Sequence, residues 1–409
     1  MSERTPSCAT GATSAHPPKV RLGEVCEIVS YRGHQIKQSE IRPSGKYPVV
    51  SQSEELIEGY SNSEIAIEDL PLVLFGDHTC CVKLIDFPFV VGADGTKLLK
   101  SKEAEAQYLA FALRFLQPTI ADGKYRRHFG DLMEREISLP PLADQRRIAA
   151  TLDKICGIIE KRKAQLAQLQ QLVKSRFVEM FGDVDGSLYT KHPIGELCEV
   201  KSGGTPDRKE KRYWENGDIP WVKTTELQNA ELYVTEEHIT LCGMEESSAK
   251  LVPPETILLA MYGQGKTRGM TAKLKIAATT NQACACILPG ARVDQDYLWR
   301  YLILSYDKIR AMAQGAGQPN LNGGMVRSFQ VPLPPLALQR EFVAFVAKVD
   351  RLEAAVKKGL EAAERLYRQQ LQEVFDIADN IADNIGDHRT RDHRTRDNMP
   401  QPQLLKEGL

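Results

Sequence analysis

Two stretches of the chain set apolar residues in alternating steps of three and four. In the first, Ile148, Leu152, Ile155, Ile159, Leu166, Leu169, Val173 and Met180 fall on one line, with Arg162 and Arg176 at two of its positions. In the second, Phe342, Val346, Val349, Val356, Leu360, Ala363, Tyr367 and Val374 do the same, interrupted by Glu353 and Gln370. That spacing is the heptad seam of a helix packed on another helix. Pro141 and Pro335 stand just ahead of the two runs, where proline ends a strand and admits a helix start. Each run predicts a helix of about 34 residues, on the order of 50 Å at 1.5 Å per residue. Two such stripes need partners. The simplest is each other, antiparallel; the alternative is a helix lying flat on its own globule. The seam residues Ile148, Leu152, Ile155, Ile159, Leu166, Leu169, Val173, Val346, Val349, Val356, Leu360 and Tyr367 are the candidate coiled-coil and subunit-interface set.

The rest of the chain has a different pattern. Residues 20–143 and 184–337 are rich in β-branched residues, Gly and Pro. Short apolar runs at Leu70–Phe75, Phe87–Val91 and Thr256–Met261 predict buried strands, and Tyr108–Leu116 and Tyr297–Leu304 predict short helices. The expected fold class is α+β: two mainly β globules joined by two long helices. The expected order is a disordered tail (1–19), a first globule (20–143), a central helix (144–183), a second globule (184–337), a C-terminal helix (338–378) and a low-complexity tail (379–409). That last tail repeats IADN and DHRTR and has no apolar period.

The chain is written twice. Gly23, Glu24, Cys26, Glu27 and Ser30 recur as Gly195, Glu196, Cys198, Glu199 and Ser202, an offset of 172, and YPVV at 47–50 matches IPWV at 219–222. LPPLA at 139–143 recurs at 333–337 and Gln145-Arg146 as Gln339-Arg340, an offset of 194. Two motifs recurring in one order make chance a poor explanation, and the growing offset gives the second copy a longer variable stretch.

Composition narrows the function classes. The 409 residues suit two to three domains. With 53 basic against 54 acidic residues the net charge is −1, which excludes a uniformly basic coat but not a local basic patch. No apolar run reaches the 18 or so residues of a membrane helix, and the first 18 residues lack an apolar signal region, so the expected location is the cytoplasm. The nine cysteines contain no C-x-x-C pair, which favours buried reduced thiols over a disulfide framework or a zinc site.

Catalytic constellations are incomplete. Ala260–Thr267 (AMYGQGKT) nearly matches a phosphate-binding loop, but the residues after it show no helical period to aim an N-terminus at an anion. Pro206-Asp207 has no nuclease Glu-x-Lys partner, and neither G-x-G-x-x-G nor G-x-S-x-G occurs. His34, His78, His128, His192 and His238 are scattered without metal spacing.

Cations instead cluster beside aromatic and amide side chains, the residue types that grip phosphates and read base edges. One cluster is Lys124, Tyr125, Arg126 and Arg127; a second is Arg208, Lys209, Lys211 and Arg212, followed by Tyr213 and Trp214; a third is Lys266 and Arg268 in a Gly-rich stretch. Gln264, Asn281, Gln282, Gln318, Asn320 and Asn322 supply amides. The candidate DNA-binding set adds Arg32, His78, Thr205, Lys223 and Tyr262 to Tyr125, Gln264, Gln318, Asn320 and the cations above.

Over residues 20–378 the chain resembles the specificity subunit of type I restriction–modification enzymes. The likeness rests on SGGTP at 202–206, GDIPWV at 217–222, SSAK at 247–250, TNQ at 280–282 and GQPNLN at 317–322 in the second copy. In the first it rests on FGDHT at 75–79, DFPF at 86–89, GADGT at 92–96 and LPPL at 139–142. The first copy lacks GGTP and GQPNLN, so its contacts cannot be copied from the second. The resemblance implies two target-recognition domains on an antiparallel coiled coil, each reading half of a split, asymmetric site in double-stranded DNA through the major groove. It implies two methyltransferase subunits as partners, which bring S-adenosylmethionine and methylate adenine, and, in a complex that cleaves, an ATP- and Mg-dependent restriction subunit. This chain would then hold no cofactor and no catalytic residue and meet no membrane. Two other classes compete: a non-catalytic protein-binding scaffold, and an NTP-dependent enzyme using the 260–267 loop.

Overall fold

The computed structural model describes residues 17–33, 35–92, 95–121, 126–183, 186–263, 265–313 and 320–375. The C-terminal repeat tail, most of the N-terminal tail, and Lys124, Tyr125, Gln264 and Gln318 lie outside the described residues.

In chain order the first half contains β1 (Lys19–Arg21), α1 (Leu22–Val25), β2 (Cys26–Val29), β3 (Tyr47–Val50), β4 (Gly59–Ser61), β5 (Leu72–Gly76), β6 (Val82–Ile85), β7 (Val90–Val91), β8 (Thr96–Ser101), α2 (Ala106–Ile120), α3 (Phe129–Met133), β9 (Glu136–Ser138) and α4 (Leu142–Phe181). The second half repeats this order as β10 (Lys191–Pro193), α5 (Ile194–Leu197), β11 (Val200–Ser202), β12 (Ile219–Val222), β13 (Ala230–Leu232), β14 (Glu237–Ile239), α6 (Leu241–Glu245), β15 (Ile257–Ala260), β16 (Thr271–Leu274), β17 (Thr279–Thr280), β18 (Cys284–Ile287), α7 (Gln295–Leu304), α8 (Tyr306–Ala311), α9 (Gly323–Ser328), β19 (Gln330–Pro332) and α10 (Leu336–Phe375). The strand β13 and the helix α6 have no described counterpart in the first half, whereas α7 and α8 together match the span of α2.

The sheets repeat with the elements. The first half pairs β1 with β9, builds β2-β8-β5-β6 and forms β4-β3-β7; the second pairs β10 with β19, builds β11-β18-β15-β16-β13 and forms β14-β12-β17. In both three-stranded sheets the central strand runs antiparallel to one neighbour and parallel to the other. The strands β5 and β15 read as unbroken apolar runs because both faces are covered. Val73 and Phe75 of β5 face one apolar cluster while Leu72 and Leu74 face another. Ile257 and Leu259 of β15 likewise oppose Leu258 and Ala260.

Two compact units result. The first comprises residues 1–165 and 356–409, the second residues 166–355. Each therefore holds the start of one long helix and the end of the other. In the first unit α4 and α10 run antiparallel: Cys156 meets Tyr367, while further along α4 Arg162 flanks Gly359, earlier in α10. The core joins this pair to α2, with Tyr108 and Phe115 beside Phe375 at ring distances of 5.2 and 5.3 Å, and Phe111 6.4 Å from Tyr367. In the second unit Phe177 lies 5.6 Å from Phe342 and 5.6 Å from Tyr301 of α7, and Phe181 lies 5.2 Å from Tyr297.

The helices are longer than their seams imply, at 40 residues each. The extra turn comes first, before the apolar period begins. Leu152, Ile155, Ile159, Val346, Val349 and Tyr367 are buried, while Ile148, Leu166, Leu169, Val173, Val356 and Leu360 are half-buried. Helix pairing and packing on the globules both occur, since Leu152, Ile155 and Ile159 share one cluster with α2 and with Tyr367 and Leu371 of α10. Cys26, Cys81, Cys156, Cys198, Cys284 and Cys286 are buried thiols. Burial pushes Cys26, Cys156 and Cys198 up to about 11, away from thiolate chemistry.

Candidate nucleic-acid interface

In each unit a turn after the central strand meets the segment leading into a short helix. In the first, the β5–β6 turn carries Asp77 and His78. Asp77 is buried, and its Oδ1 accepts from the amides of His128 and Phe129 at 3.0 and 2.9 Å, pinning the start of α3. The Arg126 carbonyl accepts from or abuts His78 Nδ1 at 3.2 Å, and the His78 amide donates to Gln52 Oε1 at 3.2 Å. Arg126 and His78 thus come together. The Arg126 guanidinium is drawn to Asp131 at 2.7 Å, whereas the Arg127 side chain is exposed and forms no ion pair among the described residues. Arg32 sits apart, exposed in the turn after β2.

In the second unit the sequence strings of the resemblance converge. The Gly203-Gly204 backbone passes so close to its surroundings that a Cβ on Gly203 would lie 2.1 Å from the Asn281 carbonyl, and one on Gly204 2.3 Å from Ser248. Only glycine fits such an approach. The Gly204 amide donates to the Thr280 carbonyl at 2.8 Å, and Trp221 Nε1 donates to the Gly204 carbonyl at 3.0 Å. Thr205 donates to Gln282. The loop at 203–206 is therefore locked on β12 and on the 280–282 turn, and it launches the basic run that follows.

That run is not a bare patch. Arg208 stacks on Trp214 and Trp221 at 3.8 and 4.5 Å and pairs with Glu237. Lys211 pairs with Glu215 at 3.6 Å, and Lys223 with Glu236 and Glu237 at 2.6 and 3.1 Å. Arg212 holds Glu246 at 2.6 Å, and Tyr213 donates to the same carboxylate at 2.8 Å. Hydrogen bonds from Tyr213, Arg212 and Cys242 bring Glu246 down to about 2. Lys209 is exposed and forms no ion pair among the described residues. Arg208, Lys211, Trp214, Glu215, Glu237 and His238 line a shallow open groove. The sequence hid this neutralisation because the acidic partners lie up to 34 residues away.

The third cluster occupies the β15–β16 connection. Tyr262 and Lys266 are exposed there and Arg268 is half-buried. The phosphate-loop-like string leads into β16 rather than a helix, so its amides form no helix N-terminus. The Leu321 amide donates to the Met261 carbonyl at 3.0 Å, which sets Asn320 beside this loop, and Asn322 caps α9 through Met325 at 3.0 Å. Among the described residues no group of three or more His, Cys, Asp or Glu side chains could hold a metal ion. No described helix is long and apolar enough to cross a membrane.

One device escaped the sequence reading of roles. Gln145 and Gln339, the recurring glutamines, are buried at the starts of α4 and α10. Gln145 Nε2 donates to the Pro140 carbonyl at 2.7 Å and its Oε1 accepts from the amide of Glu105, the N-cap of α2, at 2.7 Å. Gln339 does the same with the Pro334 carbonyl at 2.7 Å and the amide of Asp294, the N-cap of α7, at 2.8 Å. The repeated Gln-Arg was the available signal; its meaning needed the fold.

A duplicated α+β recognition unit carried on paired long helices defines the class. Residues 18–171 and 187–363 match the Type I restriction modification DNA specificity domain, and the chain belongs to that family as a specificity subunit. It is 24% identical over 373 residues to the EcoR124I/EcoR124II specificity subunit of Escherichia coli, covering 87% of this chain and 92% of that one. It is 30% identical over 214 residues to the MjaIX specificity subunit of Methanocaldococcus jannaschii, covering 50% and 48%. The crystal structure of the type I restriction–modification S subunit from M. genitalium shares the fold, with a TM-score of 0.59 and 17% identity, over 89% of this chain and 97% of that one.

Proposed function

We propose that each unit reads one half of a split, asymmetric site in double-stranded DNA, and that the long helices dock two DNA methyltransferase subunits that methylate adenine. The observation that carries this reading is the duplication itself: two units set equivalent turn-and-segment pairs, 77–78 with 126–128 and 262–268 with 320–322, at the same place in one topology. In the first unit Arg126, Arg127 and His78, with Lys124 and Tyr125, form the reading surface, and Arg32 contacts phosphate. In the second, Tyr262, Lys266, Arg268 and Asn320, with Gln264 and Gln318, form the counterpart. Thr205, Arg208, Lys209, Lys211, Arg212 and Lys223 form a flanking surface in which glutamates hold most cations in fixed geometry.

The chain selects the address and performs no chemistry. S-adenosylmethionine binds the methyltransferase partners; in a cleaving assembly a restriction subunit brings ATP and Mg. The near-neutral total charge is consistent with partners sharing the phosphate grip. The work takes place in the cytoplasm, where the chromosome is. The test is to map modified adenines in host DNA with and without this gene. A bipartite motif that vanishes on deletion is expected; an unchanged modification pattern would refute the reading.

A further inference from the structure

The helix α8 follows α7 after Ser305, and the two together (Gln295–Ala311) match the span of α2 in the first unit, which is a single helix from Ala106 to Ile120. Side chains of α8 reach the Gly-rich loop between β15 and β16. Tyr306 Oη donates to the Lys266 carbonyl at 2.6 Å, and Arg310 Nη1 donates to the Arg268 carbonyl at 2.8 Å. The two are joined, because Arg310 Nη1 also donates to Tyr306 Oη at 3.1 Å and the guanidinium stacks on the ring at 5.3 Å.

The loop needs such support. Gly263, Gly265 and Gly269 all have positive φ, at 138°, 58° and 87°, so glycine at three of seven consecutive positions leaves a backbone of high intrinsic freedom. A side chain that discriminates bases must be held to a fraction of an ångström, and a free loop does not do that. The donors fall on the carbonyls of Lys266 and Arg268, two residues whose side chains belong to the proposed reading surface. At Gly269 a Cβ would lie 3.1 Å from Arg310 Cγ, so the helix is seated directly on the loop.

We infer that α8 is a brace for the second unit's reading loop, and that Tyr306 and Arg310 are positioning residues for base discrimination in the second half-site. This rests on the proposed reading of split DNA. Neither residue needs to touch a base; both fix where Lys266 and Arg268 stand.

The test is selection from a randomised duplex DNA library by the full chain in complex with its methyltransferase subunits, using Tyr306→Phe, Arg310→Ala and Arg310→Lys beside the parent protein. Tyr306→Phe removes one hydroxyl and no charge, so its melting temperature and the salt dependence of its binding should match the parent. Base preference at the second half-site should fall on the order of tenfold in Tyr306→Phe and Arg310→Ala, with the first half-site untouched. Arg310→Lys, which keeps a donor, should restore part of the preference. Unchanged preference at the second half-site, or equal flattening of both halves, would overturn the brace. A parent complex that selects no split sequence would instead sink the underlying reading, so the two failures are distinguishable.

Discussion

At the scale of single residues, polar groups buried at the joints matter most. Gln145 and Gln339 each satisfy one backbone amide and one carbonyl where a long helix meets a globule. Truncating either to alanine strands both groups away from water. Each substitution should cost about 1–3 kcal/mol, read by denaturant unfolding. A second prediction concerns Glu246. Its pKa is depressed from the ordinary 4.5 to about 2, so its tie to Arg212 and Tyr213 is complete above the ordinary value and is lost only as pH falls toward 2. A carbon-NMR titration of that carboxyl should show a midpoint well below the ordinary 4.5. Glu246→Gln leaves Arg212 with only its longer pairing to Glu210 at 3.6 Å, so DNA affinity should rise with a salt slope steeper by up to about one phosphate contact. In the first unit, Arg127→Ala should cost about 1–3 kcal/mol of binding, confined to one base position if it reads sequence and spread evenly if it grips phosphate.

At the scale of elements, the aromatic seats of the helices decide stability. Phe177 packs against Phe181, Tyr297, Tyr301 and Phe342, so Phe177→Ala should destabilise the second unit by about 3–5 kcal/mol in the same unfolding measurement. Much of this level was legible in the chain. The seams were visible because heptad spacing is regular over many turns. The runs expected at 70–75 and 256–261 are strands at Leu72–Gly76 and Ile257–Ala260, because unbroken apolar runs of that length mark doubly covered strands. The run expected at 87–91 is a strand only at Val90–Val91, since Phe89 makes just an isolated bridge to Ile67. Phe177, Phe181, Leu371 and Phe375 are buried one position beyond the seam that the spacing traces. They pack on globule residues such as Tyr108 and Tyr297, and Phe177 and Phe181 also meet Phe342 of the other helix, a double role that a period alone does not reveal. The ion pairs that neutralise Arg208, Arg212 and Lys223 were illegible for a simpler reason: their carboxylates come from β14 and from the residues around α6, whose proximity is a product of folding.

At the scale of the whole molecule, the reading of two independent halves carries its own tests. Exchanging residues 20–143 for the matching segment of another specificity subunit should change one half of the modified motif and leave the other intact, as read by sequencing of methylated adenines. Removing one heptad from both long helices shortens each by ~10.5 Å, which is about three base steps at 3.4 Å. The unread spacer in the motif should shorten accordingly while both half-site sequences stay the same.

The division of the long helices has a genetic corollary. The first unit takes its closing residues Tyr367, Leu371 and Phe375 from beyond the second unit in the chain. A nonsense codon after residue 355 would therefore strike the half of the protein synthesised first, uncovering Tyr108, Phe111 and Phe115 while sparing the half encoded beside it. During translation the first unit therefore stays unfinished until the ribosome has passed through the whole of the second unit and reached the codons for Tyr367, Leu371 and Phe375.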